Sequence, residues 1–281
     1  LCLLNILGEP KAGAKPLERP TMFYALGDIH GQMAQLDRAL ALIDADGGND
    51  ADLFFVGDLV DRGPDSRGVI QTIIDGQNAG KPWHCILGNH DLMFHQFVTS
   101  AKVLHPEILS GKTWLHHRLG GVRTLASYMG ATELDHPDWI SWDHANEHGL
   151  DPASDSLLAA FSDAAKDAVP ASHLDWIAAL PLFIKAPHDH IFVHAGIRPN
   201  VAMDDQAQSD LIWIRDGWLD YVGELNALYV HGHTALDFPQ HHGNRINIDS
   251  GAGYGRPLVP TLFDGAGCFT LDDNGRTPLH P

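Results

Sequence analysis

The stretch Ala25-Leu26-Gly27-Asp28-Ile29-His30-Gly31 places a carboxylate and an imidazole two residues apart, between glycines. The apolar run just before them, MFYAL at residues 22–26, carries no charge and predicts a short buried strand. Because residues i and i+2 of an extended chain point to the same side, Asp28 and His30 should face one point beyond the strand's carboxyl end. The glycines let the backbone turn there and leave room for a neighbour. A hydrogen-bonded pair and two ligands of one metal ion are both compatible with this stretch.

The same arrangement recurs four more times along the chain. Apolar runs at 53–56, 83–87, 190–193 and 227–230 each lead into Asp, Asn or His beside a glycine. The segments that follow them are GDLVDRG (57–63), GNHD (88–91), HAG (194–196) and HGHT (231–234). Helical patterns at 32–43 and 64–77, the second with Pro64 in its first turn, separate the first three runs. Strand–helix–strand alternation predicts parallel units, whose strand ends should bring these polar residues to one site.

The residue types at these strand ends are typical of a metal centre. Carboxylate, imidazole and amide oxygen, without thiolate, suit borderline divalent ions such as Mn²⁺, Fe²⁺ or Zn²⁺. A carboxylate such as that of Asp58 can bridge two ions about 3.5–4 Å apart. A lone Asp or His at a strand end is usually a turn former or a hydrogen-bond partner. That interpretation does not readily explain five separate strand ends that all carry such a residue beside a glycine. The chain has 19 histidines, and several in polar stretches are predicted to be solvated: His116, His117, His136, His144, His148, His241 and His242.

Charge and composition indicate which kinds of partner and compartment suit this protein. The net charge is −18, from 18 basic and 36 acidic residues, and no basic patch offsets it, which disfavours a nucleic-acid partner. No apolar run approaches the 18 or more residues that a transmembrane helix needs, so no membrane partner is expected. Cys2, Cys85 and Cys268 show no disulfide or metal spacing. The last two are predicted to be buried free thiols, which fits a reducing compartment, and a cytoplasmic location is expected.

The motifs GDIHG (27–31), GDLVDRG (57–63), GNHD (88–91), HAGI (194–197) and HGHT (231–234) resemble those of the calcineurin-like metallophosphoesterases. Within that group they are most similar to the compact bacterial and phage phosphoprotein phosphatases, over about residues 22–271. The resemblance implies an α/β fold with two facing mixed β-sheets flanked by helices. Strands near 245–248, 259–262 and 268–271 would build the second sheet. Residues 1–20 are predicted to be an N-terminal extension or strap, and residues 21–281 a single catalytic domain.

Within that domain, residues 92–182 carry no metal motif and are expected to be mostly helical, forming a cap insertion over the site. The alternative is that the tryptophans of this segment only pack helices onto the sheet. They are Trp114, Trp139, Trp142 and Trp176.

The resemblance also implies roles for individual residues. Two divalent ions, Mn²⁺ first and Fe or Zn as alternatives, would have as ligands Asp28, His30, Asp58 as the bridge, Asn89, His194 and His233. Arg62 and Arg215 would bind the phosphate, with Asn89 beside them, although Arg215 could instead pair with Asp216 at the surface. His90 matches the family's general acid and Asp61 its orienting carboxylate. Tyr254 lies where the family often brings a loop near the site.

These roles imply a metal-dependent phosphatase that hydrolyses phosphomonoesters by direct attack of a metal-bridging hydroxide. The expected substrate is phosphoserine or phosphothreonine in a protein, or a small phosphoester. The alternative is a dinucleoside-polyphosphate or other nucleotide hydrolase, because GNHD and HAGI also occur in diadenosine-tetraphosphate hydrolases. Asp61, which those hydrolases often lack, and the GHT of 232–234 favour the protein phosphatases. A metal-binding module that recognises phosphoproteins without turnover is a third hypothesis, disfavoured because binding alone does not need the proton donor His90.

Overall fold

The computed structural model describes residues 22–129, 155–265 and 267–281. The predicted strap at 1–20, and Trp139 and Trp142 of the predicted cap, lie outside the described residues. The helices are α1 (Met33–Ala45), α2 (Ser66–Asn78), α3 (Asn89–Ser100), α4 (Gly121–Met129), α5 (Asp155–Ala168), α6 (Ala171–Ala178) and α7 (Gln208–Trp213). The strands are β1 (Phe23–Leu26), β2 (Asp52–Phe55), β3 (Trp83–Cys85), β4 (Phe183–Ala186), β5 (His190–Val193), β6 (Leu228–His231), β7 (Gln240–His241), β8 (Arg245–Asn247), β9 (Thr261–Asp264), β10 (Gly267–Asp272) and β11 (Gly275–Pro278).

The first sheet has the strand order β11-β10-β9-β1-β2-β3. Strands β1, β2 and β3 are parallel and α1 and α2 connect them, as the alternating pattern predicts. Helix α2 begins two residues later than predicted, because Asp65 is its N-cap and accepts a hydrogen bond from the backbone N–H of Gly68 at 2.7 Å. Pro64 therefore precedes the helix instead of lying in its first turn.

The second sheet has the order β4-β5-β6-β8-β7. Of the C-terminal strands predicted for it, only β8 belongs there, since β9, β10 and β11 extend the first sheet. The reason lies in β1, which is fully buried and would otherwise be an edge strand. Strand β9 pairs with it in the antiparallel sense, and the Phe263 ring stacks on Phe23 with 5.1 Å between centroids.

The two sheets face each other across an aromatic core. Alternate residues of β1 point to opposite sides, so Phe23 and Ala25 enter the space between the sheets while Tyr24 and Leu26 face the helices. The Phe54 ring of the first sheet stacks on Phe192 of the second, with centroids 4.3 Å apart. This is the α/β arrangement of two mixed sheets flanked by helices that the motifs predicted.

Helices α3 to α6 belong to the layer that covers the first sheet. Phe97, Leu125 and Ile177 lie in the same buried cluster as Leu26 of β1. The packing interpretation of the tryptophans holds for Trp114, which is fully buried in that cluster. The predicted role of 92–182 as a cap over substrate stays a prediction.

Three smaller expectations concern the cysteines, the polar histidines and membrane-spanning helices. Cys85 and Cys268 are buried free thiols, as predicted. His116 was predicted to be solvated, and this prediction was wrong: the residue follows the buried Trp114 and Leu115, is itself buried, and its ring accepts the backbone N–H of Arg118. Among the described residues, no helix has both the length and the apolarity to cross a membrane.

Candidate active site

The six predicted metal ligands lie together at the carboxyl edge of the parallel strands. The loops after β1, β2, β5 and β6 and the first residue of α3 supply them, and each is at most 8% exposed: Asp28, His30, Asp58, Asn89, His194 and His233. Two glycines permit this crowding. A Cβ at position 232 would lie 2.0 Å from Asp28 Oδ1, and one at position 88 would lie 2.1 Å from Asp58 N. Any side chain at either position would displace a candidate ligand.

Asp58 lies at the centre of this group. One of its carboxylate oxygens is 3.6 Å from His30 Nε2 and the other is 3.3 Å from His194 Nε2. Asp58 belongs to two groups of side chains whose atoms could hold a metal ion. The first group also contains His30 and His90, and the second also contains His194 and His233. Burial alone would raise the pKa of Asp58, but the neighbouring imidazoles, with His194 first, hold it well below its usual value. The carboxylate is thus kept ionised, as a bridging ligand must be.

Two histidines are oriented by backbone carbonyls. His30 Nδ1 lies 2.7 Å from the carbonyl of Val60, and His194 Nδ1 lies 2.7 Å from that of Val56. Because a carbonyl oxygen can only accept, Nδ1 carries the proton in both rings and donates it. Each Nε2 therefore faces the site.

Asn89 lies between His194 and His233. Its Oδ1 lies 2.9 Å from His194 Nε2 and 2.9 Å from His233 Nδ1. No hydrogen-bond partner for the buried His233 Nε2 is found among the described residues. Nitrogen and oxygen atoms that can carry lone pairs thus converge around Asp58, and a borderline divalent cation suits that donor set. The residues fit the metal centre that the motifs predicted.

Asp249 is a buried carboxylate of this site that sequence reasoning missed. It lies 2% exposed after β8, and its Oδ1 accepts the backbone N–H of Gly251 at 2.9 Å. Burial, followed by the charges of Asp249 and Asp58, raises the pKa of Asp28 well above its usual value. Three buried acids in mutual repulsion favour bound cations. The sequence signal for Asp249 is weaker than that of the five motifs. Asp249 precedes Ser250-Gly251, but the strand before it, Arg245-Ile246-Asn247, is not an apolar run.

His90 and Asp61 form the predicted pair. His90 Nδ1–H donates to Asp61 Oδ2 at 2.6 Å, and the carboxylate is fully buried. Two further donors hold it: Trp114 Nε1–H reaches the same Oδ2 at 2.8 Å, and Thr124 Oγ1–H reaches Oδ1 at 2.6 Å. The sequence offered no signal for Trp114 or Thr124, because they lie 53 and 63 positions beyond Asp61 in a segment without a motif.

Arg62 lies between the histidines. Its Nη1 is 2.7 Å from His30 Nε2 and its Nη2 is 3.2 Å from His90 Nε2. The Tyr254 ring, mostly exposed, lies 4.6 Å from the Arg62 guanidinium carbon. The structure therefore brings Tyr254 to the rim of the site, whereas its role in binding substrate stays a prediction.

Arg215 is also oriented toward the site. Its Nη2 donates to the carbonyl of His233 at 3.4 Å. Partial burial lowers the pKa of its guanidinium, and the charges of Asp58 and Asp28 oppose that effect. The alternative pairing with Asp216 is not among the ion pairs of the described residues.

Backbone strain concentrates here. Nine described residues other than glycine have positive φ, and five of these belong to the site: His30, Asp58, Asp61, Arg62 and His233, with φ between 50° and 76°. Such conformations cost free energy and persist where the surrounding structure holds them.

Asp91, the last residue of GNHD, holds two backbone segments together. Its Oδ1 accepts the N–H of Leu59 at 2.9 Å and its Oδ2 accepts that of Gly88 at 3.1 Å. Burial, with the charge of Asp58 second, raises the pKa of this carboxyl to about 7. Asp91 thus ties the start of α3 to the loop that carries Asp58.

Comparison with known proteins places these observations in a family. The family model described as calcineurin-like phosphoesterase matches residues 21–255. Proteins named symmetrical bis(5'-nucleosyl)-tetraphosphatase, from Shewanella sp. (strain MR-7) and Shewanella oneidensis, are 31% and 30% identical over 182 and 190 residues. These matches cover 64% and 67% of this chain, but only 46% and 49% of those relatives. The chain thus spans about half the length of the relatives that it matches.

Solved structures agree on the fold. A crystal structure described as a candidate diadenosine tetraphosphatase gives a TM-score of 0.57 at 22% identity, covering 91% of this chain and 95% of that one. A cold-active protein-tyrosine phosphatase from a psychrophilic Shewanella gives 0.53 at 16% identity, covering 92% and 80%. At these identities the likeness concerns the fold alone.

Proposed function

The chain belongs to the calcineurin-like phosphoesterase family, and from that premise we propose that it hydrolyses dinucleoside polyphosphates with a pair of divalent metal ions. The observation that carries the reaction type is Asp58, shared by two clusters of ligand atoms, with Arg62 and His90 beside it. The choice of substrate is supported by the relatives, which are named as symmetrical tetraphosphatases. GNHD and HAGI in this chain agree with that choice.

Members of this family depend on two metal ions, and the described residues include candidate ligands for them. We propose that Asp28, His30 and Asp58 hold one ion, while Asp58, Asn89, His194 and His233 hold the other. When bound, the ions would supply the Lewis acidity that lowers the pKa of an attacking water and offsets phosphate charge.

The chain's own side chains perform the other steps. The Arg62 and Arg215 guanidinium groups would bind phosphate oxygens, because a planar fork matches two of them. His90 Nε2 faces the site, so the imidazole would donate a proton to the departing oxygen from that atom. Asp61 stabilises the charged ring through Nδ1, and Trp114 and Thr124 hold the Asp61 carboxylate in place.

A second candidate is hydrolysis of phosphoserine or phosphothreonine in proteins. The His90–Asp61 pair favours it, because an alkoxide leaving group needs a proton, whereas a nucleotide phosphate leaves as a stabilised anion. The pair is therefore more useful for a phosphomonoester of serine than for a phosphoanhydride.

The test is a side-by-side comparison of kcat/KM in Mn²⁺ on diadenosine tetraphosphate, a phosphoserine peptide and para-nitrophenyl phosphate. We expect the dinucleotide to be the best substrate. A higher kcat/KM on the peptide would replace the first function with the second. No product release from any of the three substrates would favour the third hypothesis, a metal-binding module that recognises phosphoproteins without turnover.

A further inference from the structure

A groove is lined in part by Arg215, and none of the six candidate metal ligands lines it. It encloses about 480 Å³, within the range of small-molecule sites. We call it the lateral groove and define it by Glu107, Leu109, Asp210, Trp213, Arg215 and Asp216.

The lateral groove begins next to the proposed metal centre. The Trp213 ring lies edge-on to His233, with 6.1 Å between centroids, and Arg215 donates to the His233 carbonyl. A substrate phosphate held by Arg215 would therefore have the rest of its molecule within reach of this groove.

The surface of the groove combines an aromatic platform with acceptor groups. The aromatic platform is the Trp213 ring, and His105, which does not line the groove, supports it by stacking on it with centroids 4.6 Å apart and planes 23° apart. Leu109, which does line the groove, is 95% exposed. Glu107 and Asp216 are exposed carboxylates that lie in no ion pair among the described residues. Asp210 is already neutralised by two hydrogen bonds from Arg198, at 2.6 and 3.1 Å.

This chemistry suits a flat, uncharged group with hydroxyls. Uncompensated carboxylates repel a run of phosphates, but they accept hydrogen bonds from a diol. An aromatic platform can stack on any nucleobase, because every base has a flat π-face. A nucleoside offers both the flat base and the ribose hydroxyls.

We propose that the lateral groove binds one nucleoside of the substrate, with its base on Trp213 and its ribose hydroxyls toward Asp216 and Glu107. The proposal rests on the proposed function and deepens it by assigning where the nucleoside lies. The phosphates would remain with Arg62, Arg215 and the metal centre.

The experiment compares diadenosine tetraphosphate with inorganic tetraphosphate, which carries no nucleoside. In Trp213→Leu we expect KM for the dinucleotide to rise roughly 5- to 150-fold, because stacking of one base is worth about 1–3 kcal/mol. Asp216→Asn should raise the same KM several-fold. For both variants, KM for inorganic tetraphosphate should change much less. Asp204→Asn, an exposed acid outside the groove, is the matched control and should change neither value.

Equilibrium dialysis of adenosine tests the groove without turnover. The wild type should bind adenosine and Trp213→Leu should bind it at least several-fold more weakly. Equal KM changes for both tetraphosphates, or no adenosine binding by the wild type, would overturn the proposal. So would a Trp213→Leu effect confined to the phosphoserine peptide, which would make the groove a peptide site. Hydrolysis of para-nitrophenyl phosphate without hydrolysis of the dinucleotide would refute the proposed substrate instead, and the adenosine result would still decide the groove.

Discussion

At the scale of single residues, His90 is both the best-oriented proton donor and a neighbour of the candidate ligands. If it donates to the leaving group, His90→Asn should keep the bound metal and lower kcat on a phosphoserine peptide by roughly 10²–10⁴-fold. The loss should be smaller on para-nitrophenyl phosphate, whose leaving group hardly needs a proton. Asp61→Asn should show the same trend with a smaller loss. Metal content and both rates are measured on one preparation, and equal loss on both substrates with the metal intact would contradict the role.

Trp114 gives the second prediction at this scale, because its indole N–H donates to the buried Asp61 carboxylate. Trp114→Phe should lower the free energy of unfolding by about 1.5–3 kcal/mol more than a matched change without that bond. Trp218→Phe is the matched control: Trp218 is also fully buried, and its Nε1 has no partner among the described residues. Denaturant titration of both variants gives the difference. Equal destabilisation would mean that the hydrogen bond to Asp61 contributes nothing.

At the scale of elements, the strand ends were predictable and the allocation of strands to sheets was not. Each motif that follows β1, β2, β3, β5 and β6 carries its own local signal of apolar run, polar residue and glycine. The pairing of β9 with β1 depends on which distant strand covers a buried edge, and no local pattern encodes that choice. Trp114 and Thr124 were missed for the same reason, since only tertiary packing brings them to Asp61. Asp249 carried only part of that signal, a polar residue near a glycine, because the strand before it contains Arg245 and Asn247.

The insertion of β9 into the first sheet gives a prediction for Phe263. Its ring is 1% exposed and stacks on Phe23, so Phe263→Ala should cost about 3–5 kcal/mol of unfolding free energy. Phe238, which is 49% exposed, is the control, and Phe238→Ala should cost less than about 1 kcal/mol. Chemical denaturation measures both. A small loss for Phe263→Ala would contradict the placement of β9 beside β1.

At the scale of the whole molecule, buried histidines should make stability depend on pH. His173 accepts from Tyr128 Oη–H and donates to Gln71 Oε1, each at 2.9 Å. Burial first, then the charge of Arg67, lowers its pKa, and Asp75 opposes them. The folded protein thus binds fewer protons here than the unfolded chain does. Its stabilising contribution is present above about pH 6.5 and is lost as pH falls through the lowered pKa.

The free energy of unfolding should fall between pH 7 and pH 5 in the wild type, and it should fall less in His173→Gln. The two slopes should differ by at most about 1.4 kcal/mol per pH unit. Thermal or urea unfolding of wild type and variant at both pH values measures this difference. An unchanged slope would show that His173 does not contribute to the acid sensitivity.

We propose a two-metal centre built around Asp58, and the metal content of the purified chain is its direct test. We expect about two divalent ions per chain by elemental mass spectrometry, activity lost on chelation, and recovery with Mn²⁺. Asp58→Asn should lose both ions because the bridge is shared, whereas Asp28→Asn should mainly weaken one. A single tightly bound ion with full activity, or an Asp58→Asn protein that retains two ions, would contradict a two-metal centre bridged by Asp58.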